Sequence, residues 1–152
     1  MSAVTLRPAS WRDCWRLWRW RNHPTTRAMM RETDSIGLIE HLYWFAVSRQ
    51  VTTRFVFIAE ANGRPIGSAR LDFHADWQTA ECDIIVAPHE RGHGYAPSIL
   101  RWLVIAATAG KATRLIATVR MENRASRRAF KSAGFRTVDT ERGWLVMERR
   151  CA

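Results

Sequence analysis

Apolar and polar positions change their period several times along this chain of 152 residues, and each change marks an element. Thr5 to Arg7 is extended and short, a first strand. Ser10-Trp11-Arg12-Asp13 has the form of a capping box, and Trp11, Cys14, Trp15 and Trp18 then recur at helical spacing, which predicts a helix with that stripe packed in the core. Pro24 should end or bend this helix, because proline has no N–H to donate. Ser35 to Gln50 reads as a second amphipathic helix carrying His41 and Trp44.

Beyond residue 50 the period becomes extended. Phe55 to Ala59 is a strand, Asn62-Gly63-Arg64-Pro65 a turn, Ile66 to Phe73 the returning strand of a hairpin, and Thr79 to Val86 a third strand ending at Pro88. Ser98 to Ala109 is strongly apolar at helical spacing and closes on Gly110. Arg114 to Val119 is then a strand, Arg124 to Ala133 a helix, and Phe135 to Thr140 with Trp144 to Glu148 a final strand pair. The order predicts an α+β domain: a central mixed, mostly antiparallel sheet flanked by helices. With no repeat or linker, residues 1–152 are expected to form a single domain.

Composition narrows the class. At 47% hydrophobic and 25% charged, the chain reads as globular, and no apolar run approaches the roughly 20 residues a bilayer requires. The opening residues lack the basic-then-apolar order of a secretory signal, so a cytoplasmic location is expected. Cys14, Cys82 and Cys151 have neither paired nor metal-knuckle spacing, which predicts reduced thiols. The net charge of +10 is almost wholly arginine and suits an anionic partner, whether nucleic acid, acidic protein or a phosphate-bearing ligand.

The stretch PHERGHGYAP, residues 88–97, admits two chemistries. His89-Glu90-Arg91-Gly92-His93 matches H-E-x-x-H, which binds zinc when both histidines face one metal from a continuous helix. Here the segment follows a strand and Pro88, and Gly92 and Gly94 would each cost a helix about 1 kcal/mol. The alternative makes use of those glycines. Backbone amides in a tight turn at a helix start converge on one small space, and the helix dipole adds positive charge there, so the loop can hold a pyrophosphate. Arg91 would place a cation at its mouth. Strand, glycine loop and apolar helix are in the order such a cradle needs, and no metal is expected.

Arg91-x-x-Gly94-x-Ala96, preceded by Asp83-Ile84-Ile85-Val86-Ala87-Pro88, resembles the R/Q-x-x-G-x-G/A loop of the GNAT superfamily of acetyl-CoA-dependent N-acetyltransferases. Asn123-Arg124-Ala125-Ser126 through Phe130, Gly134 and Phe135 is similar to that family's second landmark. The resemblance implies a sheet splayed between its fourth and fifth strands, with acetyl-CoA as co-substrate. The amides of Arg91, Gly92, His93, Gly94, Tyr95 and Ala96 would hold the pyrophosphate. The backbone of Ile84, Ile85 and Val86 would pair with the pantetheine arm like an added strand. Asn123, which also has the look of a helix N-cap, would contact the pantetheine from the other side. His93 and Tyr95 fall on variable positions of the loop and receive no catalytic role.

Acetyl transfer to an amine requires a neutral amine, support for the tetrahedral oxyanion and a proton for the departing thiolate. Backbone N–H groups near Val86 can supply the second. GNAT enzymes often draw the third from a tyrosine seven residues after the asparagine, and this sequence has Phe130 there, which would instead pack against the coenzyme. Ser126 is the nearest alternative donor, or simply a first-turn serine. For the base, Glu81 is the first choice and His74 the second, both able to act through water. Thr118 closes the strand-five route, and Asp83 and Glu122 remain in reserve.

Trp20-Arg21-Asn22-His23-Pro24, Arg27, Met30, Glu40-His41 and Trp44-Phe45 resemble the pseudaminic-acid-pathway acetyltransferases, which acetylate the 4-amino group of a UDP-linked amino sugar. That implies a substrate site built from Trp20, Arg21, Asn22, His23, His41 and Trp44, with guanidinium on phosphate and rings on base or sugar. The ribosomal-protein N-terminal acetyltransferases share much of the pattern, so a protein α-amine is the rival acceptor. Other classes are a non-catalytic CoA-binding module, a basic RNA-associated protein, for which no recognition motif is present, and the zinc peptidase. Neither nucleic acid nor membrane is expected as a partner, and the resemblance leaves a homodimer open.

Overall fold

The computed structural model describes residues 3–151. Along them run β1 (Val4–Pro8), α1 (Cys14–Asn22), α2 (Pro24–Arg27), α3 (Leu38–Ser48), β2 (Arg54–Ala61), β3 (Arg64–Phe73), β4 (Thr79–Val86), α4 (Tyr95–Ala109), β5 (Arg114–Arg120), α5 (Arg124–Ser132), β6 (Arg136–Glu141) and β7 (Trp144–Arg150). Short 3-10 turns occupy Trp11–Asp13 and Pro88–Glu90. The strands form one sheet in the order β1-β2-β3-β4-β5-β7-β6, antiparallel throughout except for the parallel neighbours β4 and β5. This is the α+β, mixed-sheet architecture that the alternation of periods predicts.

The parallel pair is brief. β4 and β5 are in register only from Thr79↔Arg114 to Glu81↔Ile116. Past that point β4 stays with β3 as far as Val86, and β5 stays with β7 as far as Arg120. The two halves of the sheet therefore part into a V, splayed between the fourth and fifth strands as expected. Gly67 marks the bend: a Cβ there would stand 2.5 Å from the Ile85 carbonyl oxygen, so only glycine lets β3 stay against β4 as it leaves β5.

One face of the sheet packs on α4 and α5. Ile99, Leu100, Leu103 and Ala107 recur at helical spacing on α4 and are buried with Ile66, Leu71, Leu115 and Phe130. Each such aliphatic side chain contributes roughly 1.5–3 kcal/mol on burial. The other face carries α1 and α3 over a smaller core of Cys14, Leu17, Trp20, Phe45, Ile58 and Ala87. The helices α1 and α3 thus rest on their own patch of sheet.

Two local expectations are corrected at α1. The buried stripe is Cys14, Leu17 and Trp20, while Trp11 and Trp15 are half exposed. The cause is the 3-10 turn at Trp11–Asp13, whose three residues per turn rotate Trp11 off the α-helical stripe. Pro24 does end α1, but it also opens α2 at the first helical position, where a missing N–H costs nothing. The capping box is present, with Asp13 accepting from the Ser10 N–H at 2.8 Å. Asp13 is fully buried and accepts also from Arg7 at 2.7 and 2.9 Å and from Arg16 at 2.6 Å. Burial pushes its carboxyl pKa up, but the hydrogen bonds from Arg7 and Ser10 outweigh that and hold it well below the usual range.

Candidate active site

The V opens into a cleft of about 840 Å³. One of its walls is the freed edge of β4. Ala87 N–H donates to the Ile66 carbonyl at 2.8 Å, so in the alternation of an antiparallel ladder the N–H groups of Val86 and Ile84 point the other way, into the opening. Ile84, Ile85 and Val86 all line the cleft.

At the end of that edge the chain turns through residues 91–94 into α4. Gly92 and Gly94 have φ of +84° and +76°, the left-handed region that glycine enters without strain. A Cβ at either would meet nothing within 4 Å, so the backbone stands open to an incoming group. Among the described residues, no N–H from Arg91 to Ala96 donates to a backbone carbonyl. Pro97, inside the first turn of α4, has no N–H to offer. The fit to a pyrophosphate is therefore a row of free donors at a helix start, without side chains in the way. Behind the loop, Glu90 is gripped by Arg64 at 2.7 and 3.1 Å, and this pairing holds its carboxyl below the usual range. His93 Nδ1 lies 3.0 Å from the Glu90 carbonyl, and its ring stacks on Tyr95.

The opposite wall begins at α5. Asn123 caps that helix, its carboxamide oxygen accepting from the Ser126 N–H at 3.1 Å. The cap consumes the oxygen and leaves the Nδ2 hydrogens for the cleft, which Asn123, Ser126 and Phe130 all line. Phe130 is buried edge-on against Phe135.

A family model described as the acetyltransferase (GNAT) domain matches residues 3–136. The chain belongs to the GNAT acetyltransferase family. As an acetyltransferase it is an acyl-transferring enzyme, and its fold is shared with solved structures of low sequence identity. A spermidine N-acetyltransferase from Vibrio cholerae, in complex with CoA and spermine, superposes with a TM-score of 0.87 at 18% identity, over 97% of this chain and 95% of that one. The aminoglycoside acetyltransferase AAC(6')-Ib, with CoA and kanamycin, gives 0.83 at 23% identity over 97% and 95%. A Salmonella typhimurium protein with its cofactor acetyl-CoA gives 0.79 at 24% identity over 99% and 95%. No curated protein sequence matches the chain.

In this acetyltransferase the cleft away from the loop is bounded by α1, α3, the segment 28–36 and Trp144. Of the six residues that the sequence groups as a substrate site, Arg21, His41 and Trp44 line it. His41 is buried, its Nε2 lies 2.9 Å from the Cys14 carbonyl and its ring stacks on Trp44; burial lowers its pKa against that hydrogen bond. The other three lie elsewhere. Trp20 is in the small core, His23 caps α2, and Asn22 clamps the Ile36 backbone with both ends of its amide, at 2.7 and 2.8 Å. Trp20 and His23 face a shallower groove of about 670 Å³ with Arg19, Pro88 and His89.

Arg21 donates to the Glu32 carbonyl at 3.1 Å, while its Nη1 is buried without a partner. Burial depresses its pKa, with Asp83 the leading opposing charge. Asp83 lies in the same cleft, 4.0 Å from Arg70, and its carboxyl is raised because burial outweighs Arg70. Glu81 stands at the outer lip with a side chain 59% exposed, 3.1 Å from His74, which does not line the cleft.

The zinc geometry fails on the path of the backbone. Pro88–Glu90 is a 3-10 turn, Arg91 is extended and Gly92 left-handed, so His89 and His93 are not one helical turn apart, and Glu90 is committed to Arg64. Among the described residues, no three His, Cys, Asp or Glu side chains are grouped to hold a metal ion. The three cysteines are buried and free. No helix among the described residues is long and apolar enough to cross a membrane.

Of the segment 28–36, sequence reasoning singled out Met30 alone and missed the rest as a wall. Arg120 donates to the Met30 carbonyl at 2.8 Å, and the guanidinium groups of Arg31 and Arg120 lie 4.8 and 4.6 Å from the Trp144 ring centre. Proline at position 24 followed by two threonines was the available signal for α2. Nothing local announces that Trp144, far along the chain, closes the same cleft.

Proposed function

We propose that this acetyltransferase moves the acetyl group of acetyl-CoA to the primary amine of a nucleotide-linked amino sugar. The observation that carries the donor half is the free row of N–H groups at 91–96, continuous with the unpaired edge of β4 at Ile84 to Val86. A diphosphate held at the first and an extended arm paired with the second would bring a thioester to the point where the V opens. The Val86 N–H would then face the carbonyl oxygen on which charge develops. The amine attacks the thioester carbon, the tetrahedral intermediate collapses with cleavage of the C–S bond, and the amine proton passes to a base while the thiolate takes one up.

Geometry shifts the base from Glu81 to Asp83. At about 3.3 Å per residue, Asp83 is roughly 10 Å along the strand from Val86 and Glu81 roughly 17 Å. Asp83 also lines the cleft, with Arg70 4.0 Å away and the Ile84 N–H beside its carboxylate, and its raised pKa suits a proton acceptor. Ser126 lines the opposite wall and is the proton donor in this reading.

For the acceptor, the buried Nη1 of Arg21 lacks a partner beside Trp44 and His41. A substrate phosphate would satisfy it, and the rings would receive a sugar or base face. Glu32 and Glu40 on the same cleft favour the second reading, a protein α-amine on a basic N-terminus. Thiol release from acetyl-CoA is measured with a UDP-linked 4-amino sugar, a ribosomal-protein N-terminal peptide, spermine, kanamycin and buffer. Release with the sugar above all others is expected. Release with the peptide alone selects the second reading, and none above buffer leaves a CoA-binding module.

A further inference from the structure

We infer that Arg91 is a positioning residue that ties the donor loop to the acceptor wall, so that occupancy of the loop fixes residues 24–32. The inference rests on the reading of residues 91–96 as the cradle for a CoA diphosphate. The backbone of Arg91 belongs to that loop, but its side chain does not project into it. Nη2 donates to Thr26 Oγ1 at 2.7 Å, Nη1 donates to Thr25 Oγ1, and Nε donates to the Val86 carbonyl at 3.3 Å. One planar guanidinium thus joins the end of β4, the loop and α2. The side chains of Arg91 and Thr25 form the partition between the cleft and the shallower groove.

What α2 then positions is the acceptor site. A helix of four residues cannot hold itself, since nucleation is unfavourable and few bonds follow. Its place is set by the His23 cap, where His23 Nδ1 also lies 2.8 Å from Thr25 Oγ1, by the burial of Thr26, and by Arg91 on its side. The chain leaves it directly into Met29, Met30, Arg31 and Glu32, which line the cleft. Met30 and Arg31 in turn reach Arg120 and Trp144 on the far half of the sheet. A continuous set of contacts therefore runs from the loop amides over the mouth of the V.

The charge balance supplies the bias. The partners of Arg91 are two hydroxyls and a carbonyl, all neutral, and burial depresses its pKa with no opposing charge. Arg91 is exposed, so the bias is modest, and a diphosphate bound at its own backbone supplies the nearby counter-charge that its neutral partners do not. Binding should thus favour the arrangement in which the guanidinium is hydrogen-bonded to Thr25 and Thr26 of α2. By linkage, whatever steadies α2 also favours donor binding.

The test is amide hydrogen exchange with and without CoA, on the wild-type chain, on Thr25→Val/Thr26→Val and on Thr25→Ser/Thr26→Ser. In the wild type, CoA is expected to slow exchange about fivefold or more both at 91–96 and at 24–32. The valine pair should keep the protection at 91–96 and lose it at 24–32, and the serine pair, which restores both hydroxyls, should regain it. Protection at 24–32 that survives in the valine pair overturns the inference, as does protection confined to 91–96 in the wild type. Protection at neither segment would overturn the CoA reading beneath it.

Discussion

Glu81 and His74 face each other across the turn between β3 and β4, Oε2 to Nε2 at 3.1 Å, both exposed, with Glu81 alone of the two at the lip of the cleft. A carboxylate so placed is solvated and occupied. Asp83, two residues further along the strand and with a side chain 41% exposed, lies deeper along the cleft and is paired only at 4.0 Å with Arg70. Replacing Asp83 with Asn should lower kcat/KM about a hundredfold, and Glu81→Gln less than about tenfold, on the scale of general-base catalysis. In the wild type the acid limb of the pH profile should lie above the ordinary aspartate range and vanish in Asp83→Asn. Because the folded-state pKa of Asp83 is raised, its contribution to stability is lost as pH rises through that value. Asp83→Asn should accordingly melt higher at neutral pH while turning over more slowly.

Asp13 has the opposite sign. Its folded-state pKa is depressed, so its stabilisation is present above the unfolded value of ~3.9 and is lost as pH falls below it. Asp13→Ala strands Arg7 and Arg16 around a buried gap and should cost about 3 kcal/mol, the lower end for such pairs because both arginines are partly exposed. Urea unfolding at pH 7 and pH 3 checks both statements: the variant should be weaker at pH 7, and the difference should shrink at pH 3.

Arg21 is expected to set acceptor choice. Arg21→Met removes the unpartnered buried donor with little loss of volume. Turnover of the nucleotide-linked sugar should fall by tenfold or more, mainly through KM, at roughly 1–3 kcal/mol for a buried polar group left unpaired on the ligand. Background acetylation of a neutral amine should change little. Comparing kcat/KM for the two acceptors in both proteins measures the split.

Most of the fold is legible in the sequence because most of it is set by local period. Thr79 to Val86, Arg114 onward and Arg124 onward start where the alternation or the cap says they start, and Asn123 performs the cap that its spacing suggests. The failures come where two periods compete or where distance along the chain hides proximity. Trp11 leaves the helical stripe because a 3-10 turn precedes α1. Trp20, Asn22 and His23 look like one site with Arg21, yet neighbours on a helix face different directions, and only Arg21 reaches the cleft. The turn at residues 91–94 is readable because glycine and backbone suffice for it; the cleft wall at 28–36 depends on Trp144, Arg31 and Arg120 meeting across the sheet.

Gly67 should tolerate no side chain. The Cβ of Gly67→Ala would meet the Ile85 carbonyl oxygen at 2.5 Å, backbone against backbone, so β4 must shift at the segment that forms the cleft edge. A loss of about 1–3 kcal/mol in stability is expected, as for overpacking, with a weaker grip on CoA in whatever fraction remains folded. Thermal melts with and without saturating CoA separate the two effects.

The most direct measurement is calorimetric titration of CoA into the wild-type chain and into Gly92→Val/Gly94→Val, with circular dichroism confirming that the variant is folded. One equivalent should bind to the wild type, and binding should weaken by tenfold or more in the variant, where β-branched side chains cannot hold the left-handed turn that aims the loop amides. Absence of binding to the wild type, or equal affinity in a folded variant, would contradict it.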